Sequence, residues 1–341
     1  MDSRDAGGLA SMDGGGDLDK SMLSVVVPVF DEQEALPELE RRLAAAVEPL
    51  RFKGYEFLIV SDGSRDRSEE IIRGMVARDP RYRVVFLSRN FGHQEAISTG
   101  LRYSRGSVVA VIDGDLQDPP EAIASLIGAL EGGADVAFGV RTGRKESLPI
   151  RLAYSGFYRL LRAVSAIEIP LDSGDFCCMK RPVVDAILAL PERRRFLRGL
   201  RAWVGYRQVG VTYERAARHS GTPKYTFRKL LALAYDGLFS FSTLPIRLMQ
   251  VAGFVLSALA IAVAMGYVIW SFLMPERFPS GFASLIVSIW FFAGVQLFCL
   301  GIVGEYVART CDEARGRPPA VVREVVDSRQ AESDEGGPGA G

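Results

Sequence analysis

Apolar and polar residues recur along this chain with two different periods, and the order of the periods outlines a fold. Residues 23–29, Leu-Ser-Val-Val-Val-Pro-Val, form a nearly unbroken apolar run, as in a strand buried on both faces, while residues 38–50 space charged and apolar side chains at helical intervals. The pair then repeats. Strands over 55–60, 83–87, 107–112 and 135–140 are separated by helices over 67–78, 94–104 and 121–130. Alternating β and α segments predict a mostly parallel α/β sheet with helices on both faces, whose strand ends line one crevice. Further on the pattern changes. Residues 227–241 alternate apolar with basic or polar side chains, which predicts amphipathic helices on a membrane surface over 223–246. Residues 248–275 and 278–304 carry no charge, and since roughly 20 apolar residues cross a bilayer core, they predict two transmembrane helices at about 248–274 and 280–304.

Charge sets the orientation of those spans. Arg247 precedes the first, and Arg309, Arg315 and Arg317 follow the second, whereas the connection holds one charge of each sign, Glu276 and Arg277. Positive flanks mark both outer ends as cytoplasmic, together with the large domain over 21–222 and a C-terminal tail over 308–341. No N-terminal stretch reads as a signal peptide, and residues 1–20, rich in Gly, Asp and Ser, read as a disordered tail. With 41 basic and 41 acidic residues among 341, the chain has no global field to attract nucleic acid. Its four cysteines have neither disulfide nor metal-ligand spacing.

Candidate chemistry gathers where the strands end. The strand over 107–112 stops at Asp113-Gly114-Asp115, followed by Leu116-Gln117-Asp118 and a proline pair suited to a helix start. Two carboxylates this close repel unless a cation lies between them. Mg²⁺ takes one or two carboxylates plus phosphate oxygens, so Asp113 and Asp115, with Gln117 as an extra oxygen or a supporting group, suit a metal that holds a diphosphate. Taken alone, Asp-x-Asp reads more readily as an acidic turn after a strand end. The first strand ends in Phe30-Asp31-Glu32 and the second in Ser61-Asp62-Gly63-Ser64-Arg65-Asp66. Glu32 and Asp62 can accept hydrogen bonds from ribose hydroxyls and a base N–H, with Gly63 allowing close approach, although an Asx-turn with helix capping accounts for residues 61–68 as well. Neither Gly-x-Gly-x-x-Gly nor a Walker lysine follows the first strand, which disfavours dinucleotide and P-loop readings.

These motifs in order, with Leu87-Ser-Arg-Asn-Phe-Gly-His-Gln94 among them, resemble glycosyltransferase family 2. Within it they are most similar to the polyprenyl-phosphate hexose transferases, the dolichyl-phosphate mannose synthase and bacterial GtrB-like group, over about residues 22–320. The resemblance implies a GT-A fold and a metal-dependent (Mg²⁺ or Mn²⁺), inverting hexosyltransferase. Its donor would be a nucleotide-diphosphate sugar, UDP-glucose ahead of GDP-mannose, and its acceptor a polyprenyl phosphate of undecaprenyl type at the cytoplasmic face of a bacterial inner membrane. By the same resemblance Asp113, Asp115 and Gln117 hold metal and diphosphate, while Glu32, Asp62 and the backbone at Pro28 meet the nucleoside. Arg141, Arg151 and Ser155 grip the acceptor phosphate, Asp175 faces the sugar or an arginine, and Arg218 and Lys224 sit on a loop that reaches the diphosphate. Pro223 departs from the Ser or Thr commoner there, and His93 and His219 read as structural. A homo-oligomer, a separate flippase and a downstream glycosyltransferase are the implied partners. A processive polysaccharide synthase would carry Gln-x-x-Arg-Trp and more spans, and neither is present. A non-catalytic membrane scaffold would have no need of intact acidic motifs.

Overall fold

A computed structural model describes residues 18–142, 173–192, 195–214 and 281–327, with scattered helical positions between 249 and 273. Eight strands form one sheet in the order β7-β5-β6-β4-β1-β2-β3-β8. At its centre β1 (Leu23–Val29) runs parallel to β2 (Tyr55–Ser61) and to β4 (Val108–Val111), and β3 (Tyr82–Leu87) runs parallel to β2. Successive side chains point to opposite faces. Val25 and Val27 enter one apolar layer with α1 (Leu36–Val47), α2 (Ser68–Arg78) and α4 (Ile123–Glu131). Val26 enters the other with α3 (His93–Tyr103), α5 (Arg181–Ala189) and α6 (Leu197–Trp203). Because helices cover both faces, the central strands are apolar at most positions, and their sequences read as nearly continuous runs.

Regular alternation stops at β5 (Val136–Thr142). The next strand, β6 (Ser173–Lys180), is reversed and pairs antiparallel with both β4 and β5, while β7 (Gln208–Glu214) lies parallel to β5 at one edge. At the other edge β8 (Val322–Asp327) pairs antiparallel with β3. This corrects the assignment of all of 308–341 to a tail. Three of its six residues, Arg323, Glu324 and Asp327, are charged, so β8 has no apolar signature of its own and becomes a strand by closing the open edge of β3. A buried ionic cluster fastens it. Arg83, at the start of β3, pairs with Glu56 of β2 and, at 2.9 Å, with Asp327 of β8; Asp327 also meets Arg105 at 3.0 Å, and Ser24 donates to Glu56.

The chain divides into two compact units, and the one that includes residues 223–317 contributes α7 (Phe282–Ala314). At 33 residues α7 is about 50 Å long by the 1.5 Å rise per residue. Its stretch Phe291–Ala308 makes it the one helix among the described residues long and apolar enough to cross a membrane, and Leu297, Phe298 and Leu300 are exposed on it. α7 contains nearly all of the second expected span and continues beyond it. The first expected span is described in part, at helical positions between 249 and 273 that include the run 251–256, and the surface helices over 223–246 lie outside the described residues.

Candidate active site

The C-terminal ends of four adjacent parallel strands open on one crevice. Pro28 and Glu32 line it from β1 and the loop beyond, Asp62 from the end of β2, Asn90 and His93 from beyond β3, and Asp113 and Asp115 from beyond β4. Hydrogen bonds join the first two loops. Asp31, at φ 55°, accepts the Arg65 N–H at 2.7 Å; Ser64 Oγ accepts the Asp31 N–H at 3.2 Å, and Ser68 Oγ accepts the Glu32 N–H at 3.0 Å. Asp66 accepts the Ser68 and Gln33 N–H groups, so the Asx-turn reading of this stretch holds for Asp66. Asp62 has a wider reach. Its buried carboxylate accepts the Phe91 N–H at 2.7 Å and the Gly92 N–H at 2.9 Å, which fixes the loop after β3 over the crevice. Burial raises the Asp62 pKa against the pull of those two donors. Gly63, at φ 65°, does permit a close approach, but by the chain itself, since a Cβ there would lie 2.5 Å from the Arg89 carbonyl carbon.

Asp113 sits at the crevice floor with Oδ1 buried and without a hydrogen-bond partner, 3.4 Å from His93 Nε2. Burial pushes its carboxyl up to about 6; His93 opposes the shift, and Asp175, Asp118 and Asp115 add to it. The same His93 Nε2 lies 3.5 Å from Asp175 Oδ2. Asp175 is buried on β6 and held by three donors: Gln94 Nε2 at 2.9 Å, Arg198 Nε at 2.9 Å and Arg198 Nη2 at 3.2 Å. Burial would raise the Asp175 pKa, but His93 and Arg198 outweigh it and hold the carboxyl well below the usual carboxylate range. For His93 burial works toward a lower pKa, while Asp175 and Asp113 prevail and raise it. An imidazole with two carboxylates close to its Nε2 therefore forms part of one wall of the crevice.

The donor set suits a hard divalent cation. Asp113 and Asp115 offer two carboxylates, one with an oxygen that lacks a hydrogen bond, and Mg²⁺ or Mn²⁺ would complete its shell with phosphate oxygens and water. Among the described residues no group of three or more His, Cys, Asp or Glu is placed to hold a metal unaided. Gln117 is buried, does not line the crevice, and donates its backbone N–H to Asp115 Oδ1 at 3.1 Å. Arg141 stands in β5 opposite Tyr213 of β7. Arg151, Ser155, Arg218 and Lys224 lie outside the described residues. Sequence reasoning read His93 as structural and gave Gln94 no role in the site. The available signal was the polar run Ser88–Gln94, which follows β3 just as Asp62 and Asp113 follow their strands.

Comparison with known proteins agrees with this geometry. Residues 24–188 match glycosyl transferase family 2, and residues 245–310 match the GtrB C-terminal hairpin. The chain is 42% identical over 301 residues to an uncharacterized glycosyltransferase, YkcC, of Bacillus subtilis, covering 88% of this chain and 93% of that one. It is 36% identical over 307 residues to a prophage bactoprenol glucosyl transferase homolog of Escherichia coli, covering 89% and 99%. It is also 36% identical over 304 residues to the bactoprenol glucosyl transferase of Shigella phage SfII, covering 88% and 97%. With those matches running through both the sheet and the C-terminal helix, the chain belongs to glycosyltransferase family 2 and carries the GtrB-type hairpin.

Proposed function

We propose that this protein transfers glucose from UDP-glucose to a polyprenyl phosphate of undecaprenyl type, with inversion, at the cytoplasmic face of a bacterial inner membrane. The observation that carries the reading is the convergence of Glu32, Asp62, Asp113 and Asp115 on one crevice, in a chain similar along most of its length to bactoprenol glucosyl transferases. Glu32 and the backbone at Pro28 bind the ribose and base. Asp62 shapes the same subsite through the Phe91–Gly92 backbone and keeps lone pairs for a base N–H. Asp113 and Asp115 hold Mg²⁺ or Mn²⁺ against the donor diphosphate, with Gln117 supporting the turn. When bound, the cation supplies Lewis-acid stabilisation of the departing nucleoside diphosphate.

Arg141, Arg151 and Ser155 fix the acceptor phosphate, and Arg218 and Lys224 neutralise the diphosphate. A phosphate oxygen attacks the anomeric carbon, the bond to the diphosphate oxygen breaks with its electron pair on the nucleotide, and no proton has to move. A phosphate monoester with a second pKa of about 6 is already anionic at neutral pH, so a strong general base is unnecessary. Asp175, committed to Arg198, Gln94 and His93, acts here by holding His93 in the wall rather than as a free sugar ligand.

The test uses the full-length protein in detergent with polyprenyl phosphate and labelled UDP-glucose or GDP-mannose. Label should enter the organic phase with UDP-glucose, vanish with chelator, and fall at least about 10³-fold in Asp115→Asn. Transfer from GDP-mannose instead would move the donor assignment. No transfer from any nucleotide sugar, despite nucleotide binding, would replace this reading with that of a scaffold.

A further inference from the structure

The acidic loop after β4 is held from outside itself, and its support comes from the edge of the sheet. Leu116 adopts φ 58°, a left-handed conformation that a leucine keeps only where its surroundings impose it. Leu116, Gln117 and Asp118 are all buried, and Asp118 is completely so. A buried carboxylate needs a donor, and the Tyr213 hydroxyl, from β7, donates to Asp118 Oδ1. The tyrosine ring has little freedom. It stands edge-on to Phe176 with centroids 5.3 Å apart, and it passes over Gly139 of β5 so closely that a Cβ there would lie 2.5 Å from its Cε1. With the ring held by packing, the hydroxyl has a fixed direction, and it meets the loop three residues beyond Asp115.

We propose that Tyr213 is a positioning residue for the cation site: through Asp118 it holds the turn in which Asp113 and Asp115 face the crevice. The inference rests on the reading of those two carboxylates as cation ligands. It also gives β7 a part in the site.

Full-length protein in detergent, titrated with Mn²⁺ in the presence of UDP and followed by electron paramagnetic resonance, tests it. Tyr213→Phe keeps the ring and removes the hydroxyl. Removing such a supporting partner should weaken Mn²⁺ binding by about 10-fold or more, and excess Mn²⁺ should restore transfer because both ligands remain. Tyr82→Phe is the control. Its ring is buried and its hydroxyl donates to the Glu40 carbonyl at 3.3 Å, at the end of the sheet opposite the crevice. It should lower the melting temperature without changing Mn²⁺ affinity. Mn²⁺ affinity of Tyr213→Phe within about 2-fold of the parent, or an equal loss in Tyr82→Phe, overturns the positioning role. If the parent binds no Mn²⁺, or Asp115→Asn binds it undiminished, the cation reading itself falls and takes the positioning role with it.

Discussion

Asp113 shows how far surroundings can change a side chain. Its carboxyl keeps a proton up to about 6, against 3.8 ordinarily, because the crevice floor withholds water from the charged form. The sign of the consequence is definite. In the metal-free protein the folded state binds this proton more tightly than the unfolded one, so the group's contribution to stability is complete in acid and is lost as pH rises through that window. A cation that requires the ionised form reverses the trend. The rise in melting temperature caused by Mn²⁺ with UDP should be larger at about pH 7.5 than at about pH 5, and an equal rise at both would exclude Asp113 as a ligand. Asp175 is the converse case, a buried carboxylate kept charged by Arg198 and His93. Arg198→Met should cost about 2 kcal/mol, seen as a lower melting temperature; an unchanged one would mean that Gln94 and His93 suffice. Local motifs identified Asp62, Asp113 and Asp175 as important. Their partners stayed hidden, because Phe91 lies 29 positions from Asp62 and Arg198 lies 23 from Asp175, separations at which no periodicity operates.

Among the elements, β1 through β5 were legible and β6, β7 and β8 were not. A strand covered on both faces is apolar at most positions, so β1 through β4 declare themselves within a residue or two. β6, reversed between two neighbours, mixes Ser, Gly and Asp with its apolar residues, and β7 is half-exposed at an edge. β8 depends on its partner strand and on one ionic cluster. Asp327→Ala would leave Arg83 buried with a single acidic partner, Glu56, and should destabilise the sheet by roughly 3 kcal/mol. Thermal unfolding at the parental temperature would show that β8 is held by its backbone ladder alone.

For the whole molecule the unit that ends in α7 makes the protein an integral membrane protein in the proposed reading. It should remain in the membrane fraction through high salt and alkaline carbonate; release by either would reduce the association to a surface one. The amino-acid order by itself determined the strand–helix alternation, the carboxylates at the strand ends and the long uncharged runs. Each of these follows from burial or composition within a few consecutive residues. The tertiary structure alone decided that β6 runs backwards, that chain from beyond α7 returns as β8, that Asp62 and Asp175 are occupied by the protein's own donors, and that Tyr213 supports the acidic loop. Strand pairing and the satisfaction of buried polar groups are settled between residues far apart in sequence, and a local pattern carries no record of which distant group will arrive.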